Sequence, residues 1–200
     1  MKTFIYADKF FLNSGVKGAG YLDVTDGIFG TYTKEKPEGA EIIDQTGKWI
    51  APGLVDTHIH GYKNHDVMDN DAEGIKVMSE GLLSCGVTSF LPTTLTSSKE
   101  RLKDVAETIG KVYQEVDGAK IQGIYFEGPF FTEEHKGAQN PSYFGDPDLD
   151  TFHEWQEASG GLIKKIALAP ERKGVREFVK TVTDEGVVVS LGHSNATLEE

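Results

Sequence analysis

The sequence predicts an α/β protein with a parallel sheet, preceded by a small β region. From about residue 50 onward, continuous apolar segments alternate with amphipathic ones, and such strands are typically buried on both faces by helices. Before residue 50, short apolar segments are instead separated by Gly, Asn, Asp and Pro turns. A doubly wound sheet and a (β/α)8 barrel both fit this order of elements.

The first 50 residues predict an antiparallel sheet of short strands. Turn sequences at 13–15, 26–27 and 37–39 separate the apolar segments. The predicted strands are Phe4–Ala7, Phe10–Leu12, Gly20–Val24 and Glu41–Asp44. We expect residues 1–50 to form a small N-terminal β domain and residues 51–200 to form the α/β domain.

The α/β part has five predicted strands. The clearest helix is 98–116, where Leu102, Val105 and Ile109 share one face. Cys85 ends the apolar face of another helix, so we expect it in the core. Residues 128–147 are too long for an ordinary connection, which indicates a functional loop. Strands are predicted at 54–59, 87–91, 121–126, 162–169 and 187–191, and helices at 72–85, 98–116, 149–157 and 174–184, with another beginning at Thr197.

Composition excludes several classes of partner. The net charge of −12 disfavours nucleic acids and anionic membranes, although a local pocket could still bind a small anion. The single cysteine allows no intrachain disulfide, which fits a cytoplasmic protein. No apolar run approaches the ~18 residues of a membrane span.

His58 and His60 end the first strand of the α/β part. Residues i and i+2 of a strand share a face, with Cα atoms about 6.6 Å apart, so two imidazoles there can converge on one cation. A pair of histidines in a polar loop is the alternative. The buried strand, the preceding Pro52-Gly53 and the following Gly61 favour the metal ligands.

Glu127 and His193 end two further strands. A solvent-facing glutamate and a structural histidine are the alternatives when each residue is considered alone. Because parallel strands bring their carboxyl ends to one edge of a sheet, the coincidence favours a shared site. Nitrogen and carboxylate ligands together suit zinc, iron or manganese better than calcium.

The sequence gives little support to other catalytic schemes: the chain has neither a Gly-X-Ser-X-Gly elbow nor a phosphate-binding Gly-X4-Gly-Lys-Ser/Thr loop. A flavodoxin-like sheet with incidental histidines remains the plain alternative.

Three motifs resemble those of the N-acetylglucosamine-6-phosphate deacetylases of the amidohydrolase superfamily: APGLVDTHIHG (51–61), YFEGPFF (125–131) with HKGAQNP (135–141), and LGHSNA (191–196). The resemblance implies about the first five β/α units of a (β/α)8 TIM barrel, preceded by a small β-sandwich region. It also implies metal ligands at His58, His60, Glu127 and His193, for one or two divalent ions. Ala138 and Gln139 would contact the substrate. Some family members have His at the position of Gln139, where a backbone contact is still expected.

The implied activity is metal-dependent hydrolysis of the acetamide of N-acetylglucosamine 6-phosphate, with a homodimer as the full-length form. The family's sixth-strand His and its eighth-strand general acid/base Asp would lie beyond residue 200, so we expect residues 1–200 to be a piece of a longer protein. Alternatives are another amidohydrolase, acting on N-acetylgalactosamine 6-phosphate or a cyclic amide, and a metal-binding fragment without activity.

Overall fold

The computed structural model describes residues 1–200. Contacts within the chain divide it into two units, residues 1–53 and residues 54–200. No helix in either unit combines the length and apolarity needed to cross a bilayer.

The first unit is a five-stranded sheet built around its first strand. Its strands are β1 (Thr3–Leu12), β2 (Gly15–Lys17), β3 (Gly20–Asp23), β4 (Tyr32–Thr33) and β5 (Glu41–Ile50). Strand β1 pairs antiparallel with β2 and β3, and β3 pairs with β4. Ala7, Phe10 and Leu22 form the buried centre of this unit.

Two expectations for this unit were wrong. Strand β5 pairs parallel to β1, so the sheet is mixed, and β1 is one strand where two were predicted. Strands β1 and β5 stay paired beyond Asp8 through an irregularity in register: Ala7 of β1 faces Gln45 of β5, whereas Lys9 faces Trp49. Gly47 lies in the extra segment with φ of 81°, a conformation that glycine adopts without strain.

The second unit is a parallel sheet with helices against one face. Its main strands are β6 (Leu54–Ile59), β9 (Val87–Thr94), β10 (Lys120–Ile121), β11 (Ile124–Glu127), β12 (Ile163–Leu168) and β13 (Val188–Leu191); Gly61–Tyr62 (β7) and His65–Asp66 (β8) form a separate hairpin. Strands β10 and β11 both pair with β9, so the order is β6, β9, β10/β11, β12, β13.

The strand predicted at 121–126 is divided where its backbone N–H groups turn from β9 towards the segment before β12. The Gln122 N–H donates to the Phe90 carbonyl, on one side, and the Ile124 N–H donates to the Leu162 carbonyl, on the other. The predicted alternation of strands and helices is otherwise present in the order expected.

Four helices connect the strands: α1 (Ala72–Leu83), α2 (Lys99–Val112), α3 (Leu149–Ala158) and α4 (Val175–Asp184). Side chains of Asp71, Ser98 and Asp148 accept hydrogen bonds from the first turns of α1, α2 and α3. Each such cap contributes roughly 1 kcal/mol. Helix α2 ends at Val112, four residues earlier than predicted, and Val116 is buried outside the helix.

Side chains alternate between the two faces of the parallel sheet. Phe126 and Ile166 belong to the large core beneath the helices. Tyr125 and Ala167 belong to a small cluster with Phe131 on the other face. Glu127, two residues after Tyr125, therefore projects from the face opposite the helices.

Two further predictions were wrong. Cys85 is exposed, because α1 ends at Leu83 and the chain turns away from the helical face through Gly86 at φ of 77°. No helix begins at Thr197. The Thr197 N–H does donate to the Glu200 carboxylate at 3.0 Å, which is half of a capping box, but residues 197–200 do not have helical structure.

Candidate metal centre

The carboxyl end of β6 positions His58 and His60. The Ile59 N–H between them donates to the Thr93 hydroxyl at 3.0 Å, which joins this end of β6 to β9. At Gly61 a methyl group would lie 2.4 Å from the His65 carbonyl oxygen, so only glycine fits the turn that follows. The Nε2 atoms of His58 and His60 consequently lie 3.2 Å apart.

Glu127 is the last residue of β11 and is buried. Its two carboxylate oxygens contact different neighbours. Oε1 lies 3.3 Å from His58 Nε2 and 3.3 Å from His193 Nε2. Oε2 lies 3.1 Å from His60 Nε2 and accepts a hydrogen bond from Gln139 Nε2 at 2.9 Å.

His193 lies just after β13 in a left-handed conformation, with φ of 48°. Its backbone carbonyl accepts a hydrogen bond from the Thr132 N–H at 3.0 Å, and its Nδ1 lies 2.9 Å from the His135 carbonyl oxygen. These contacts tie His193 to the loop that follows β11. Such a conformation is uncommon for a residue other than glycine, and histidine is one of the residues that adopt it most readily.

The structure thus places the four predicted ligands at one end of the parallel sheet. Ligand atoms of His58, His60 and Glu127 lie within 4.8 Å of one another, and His193 contacts the same carboxylate. Ala138 is exposed in the loop after β11. Gln139 is buried and contacts Glu127 directly.

Electrostatic coupling within the cluster favours charged forms. Burial raises the pKa of Glu127, but the hydrogen bond from His60 and the charges of His58 and His60 outweigh it and lower the pKa to about 2. The hydrogen bond with Glu127 raises the pKa of His60 against the opposing effect of burial. Glu127 is therefore a carboxylate at neutral pH, and it favours the protonated form of His60.

Comparison with known proteins identifies the family. The sequence profile of the amidohydrolase family matches residues 49–196. The chain belongs to the amidohydrolase family. The curated N-acetylglucosamine-6-phosphate deacetylase of Lysinibacillus sphaericus is 37% identical over 164 residues, which cover 82% of this chain and 42% of that protein. The N-acetylgalactosamine-6-phosphate deacetylase of Escherichia coli O157:H7 is 29% identical over 187 residues, covering 90% and 49%.

A solved amidohydrolase structure confirms the predicted fold. The N-acetylglucosamine-6-phosphate deacetylase of Pasteurella multocida superposes with a TM-score of 0.87 at 25% identity, covering 100% of this chain and 52% of that one. Strands β6, β9, β10/β11, β12 and β13 are therefore the first five strands of an amidohydrolase barrel. The chain spans about half the length of the curated relatives it matches.

Amidohydrolases depend on metals, and the hydrogen bonds of this site fit one. The Nδ1 atom of His60 lies 3.1 Å from the Thr93 carbonyl oxygen, and the Nδ1 atom of His193 faces the His135 carbonyl oxygen. Because carbonyl oxygens only accept hydrogen bonds, the proton of each of these rings, when neutral, lies on Nδ1. The Nε2 lone pairs of His60 and His193 then face the Glu127 carboxylate. Acceptors facing acceptors repel unless a proton or a cation lies between them, so the donor set suits a divalent metal.

Sequence reasoning missed the groups that support this cluster. The carbonyls of Thr93 and His135 have no sequence signal, because any residue supplies a carbonyl. Glu171 could have been found: it follows the end of β12, as Glu127 ends β11. Its carboxylate accepts hydrogen bonds from the Ser194 hydroxyl at 2.8 Å and the Asn195 N–H at 2.7 Å, holding the segment after His193.

Proposed function

We propose that this chain forms the metal-binding part of an N-acetylglucosamine-6-phosphate deacetylase. The reaction is hydrolysis of the acetamide of N-acetylglucosamine 6-phosphate to glucosamine 6-phosphate and acetate. The observation that carries the proposal is the Glu127 carboxylate, with imidazole nitrogens from two other strand ends at 3.1–3.3 Å, in an amidohydrolase similar to deacetylases of that specificity.

His58, His60, Glu127 and His193 would hold one or two divalent ions, zinc or alternatively iron or manganese. When bound, the metal supplies Lewis acidity that polarises a carbonyl and lowers the pKa of water. The chain's own residues prepare the site for it. Glu127 supplies the negative charge that the imidazoles surround, and the carbonyls of Thr93 and His135 hold the rings of His60 and His193 in one orientation.

The loop after β11 would contact the sugar substrate. Ala138 is exposed beside the cluster, next to the buried Gln139. The Gln139 N–H already donates to the Lys136 carbonyl at 3.0 Å, so a substrate contact there would involve the backbone of Ala138 or the Gln139 carbonyl. The Asp that moves protons in the reaction, and the partner subunit of a homodimer, are expected from the family resemblance.

Hydrolysis of N-acetylgalactosamine 6-phosphate is the second candidate, because a relative with that printed activity matches 90% of this chain. The two substrates differ only in the configuration at C4. Parallel assays of acetate release from the two sugar phosphates, with the full protein that contains this chain, would separate the candidates. A kcat/KM higher for the glucosamine derivative supports the first proposal.

Elemental analysis tests the metal site directly. We expect the purified protein to contain a divalent metal and the Glu127→Gln variant to lose it, because an amide cannot balance the charge of the cation. Glu133→Gln is the matched control, since Glu133 is exposed in the same loop and contacts no member of the cluster. Equal metal content in the two variants would refute the proposed ligand set.

A further inference from the structure

The buried side chain of Gln139 contacts the proposed metal cluster. The residue is only 4% exposed although its side chain is polar. Its Oε1 accepts a hydrogen bond from the Thr96 N–H at 2.8 Å, and its Nε2 donates to Glu127 Oε2 at 2.9 Å. The carboxamide therefore joins the end of the β9 segment to the carboxylate at the end of β11.

These two partners fix the orientation of the amide. The Thr96 N–H can only donate, so the oxygen of Gln139 must face it. The nitrogen must then face Glu127, where it donates to an oxygen that can only accept. Both ends of the amide thus have a protein partner, and burial shields the side chain from solvent.

Each oxygen of the Glu127 carboxylate has two neighbours. Oε1 faces His58 and His193, whereas Oε2 faces His60 and also accepts a hydrogen bond from Gln139. A carboxylate whose one oxygen is held by an amide cannot rotate freely about its last side-chain bond. The amide thereby holds the carboxylate in the orientation in which both oxygens face imidazole nitrogens.

We propose that Gln139 is a positioning residue: its amide holds Oε2 of Glu127 and thereby fixes the carboxylate in the orientation in which it faces the proposed ligands His60 and His193. The inference rests on the proposed metal site. It goes beyond the substrate contact implied by the family resemblance, because Gln139 would act through Glu127. Residues that orient metal ligands in this way typically alter metal affinity 10- to 100-fold when replaced.

Co²⁺ binding to the metal-free protein provides the test, since its visible absorption reports coordination number and its titration reports affinity. Gln139→Met keeps the length of the side chain and removes its donor and acceptor. We expect Co²⁺ to bind about 10-fold more weakly and its absorption bands to change in intensity as the Glu127 carboxylate becomes free to rotate. Gln122→Met is the matched control, because Gln122 is exposed and lies outside the site.

A purely structural role for Gln139 would lower the stability of the metal-free protein and leave both Co²⁺ readouts unchanged, and that result would overturn the inference. If Gln139→Met does not fold, Gln139→Asn applies the same test, because its shorter amide cannot reach both partners. Failure of the wild-type protein to bind Co²⁺ would refute the proposed metal site, and the inference with it. Normal binding by the wild type and by Gln139→Met refutes the inference alone.

Discussion

Replacing Gly128 by alanine should strain the turn that directly follows Glu127. Gly128 has φ of 94°, in a region that residues with a Cβ atom rarely adopt. A methyl group there would lie 2.2 Å from the Thr96 hydroxyl oxygen and 2.9 Å from the ring of Phe131. The side chains of Thr96 and Phe131 are buried, so neither can move into solvent.

The expected loss of stability combines two effects. A left-handed conformation costs a residue with a Cβ about 1–2 kcal/mol. Forcing a methyl group into a packed interior typically costs about 1–3 kcal/mol more. We therefore expect Gly128→Ala to lower the free energy of unfolding by about 2–5 kcal/mol, a large part of the ~5–15 kcal/mol typical of native proteins.

Urea denaturation followed by circular dichroism measures this loss. Gly160→Ala is the matched control, because Gly160 has φ of 68° but a methyl group there would meet no atom within 4 Å. It should show the conformational cost without the steric one. Removing the colliding hydroxyl in the double variant Thr96→Ala/Gly128→Ala should restore part of the stability, since the Thr96 hydroxyl is buried without a hydrogen-bond partner.

The reasoning would be wrong if Gly128→Ala destabilised the protein no more than Gly160→Ala, or if the Thr96→Ala background restored nothing. A second readout joins this turn to the site. Because Gly128 is bonded to Glu127, relief of the clash by backbone movement should displace the carboxylate and weaken Co²⁺ binding. Gly160→Ala, at the far end of α3, should leave Co²⁺ binding unchanged.

Two further predictions concern the charges of the site. The pKa of His60 is raised above its ordinary 6.5 by Glu127, so at pH values below that raised pKa a metal must displace a proton from the ring. Co²⁺ affinity should fall as pH decreases through the raised pKa, and calorimetry in buffers of different ionisation enthalpy should detect the released proton; an affinity that does not fall on acidification would contradict this. Glu171→Gln should weaken Co²⁺ binding about 10-fold by releasing the segment after His193, whereas Glu177→Gln, exposed on α4, should not.

The fold could be predicted where the apolar pattern had one explanation. In α2, Leu102, Val105 and Ile109 recur at helical spacing and all three are buried against the sheet. The pattern failed at the end of that helix, because Val116 is buried although its own segment is no longer helical. Burial selects apolar residues in helices and in loops alike, so an apolar residue cannot mark where a helix ends.

Cys85 illustrates the same difficulty in the opposite direction. It fits the apolar face of α1 only if the helix continues to it, and two residues of turn are enough to move it into solvent.

The direction in which β5 pairs could not be predicted from the sequence either. A short strand of alternating residues fits a parallel or an antiparallel neighbour, and the direction depends on where the connection 34–40 returns the chain.

The grouping of His58, His60, Glu127 and His193 followed from the parallel order of the strands, since that order alone determines which strand ends are neighbours. Their chemistry depends on atoms that the order does not determine. Had the carbonyls of Thr93 and His135 not faced Nδ1, the neutral rings of His60 and His193 could carry their protons on Nε2, donate to Glu127 and form a satisfied polar cluster. Because they face Nδ1, the lone pairs point at the carboxylate, and only a proton or a cation can stabilise the arrangement. Two backbone carbonyls therefore separate a cluster of neutral rings that donate to Glu127 from one that needs a shared proton or a cation.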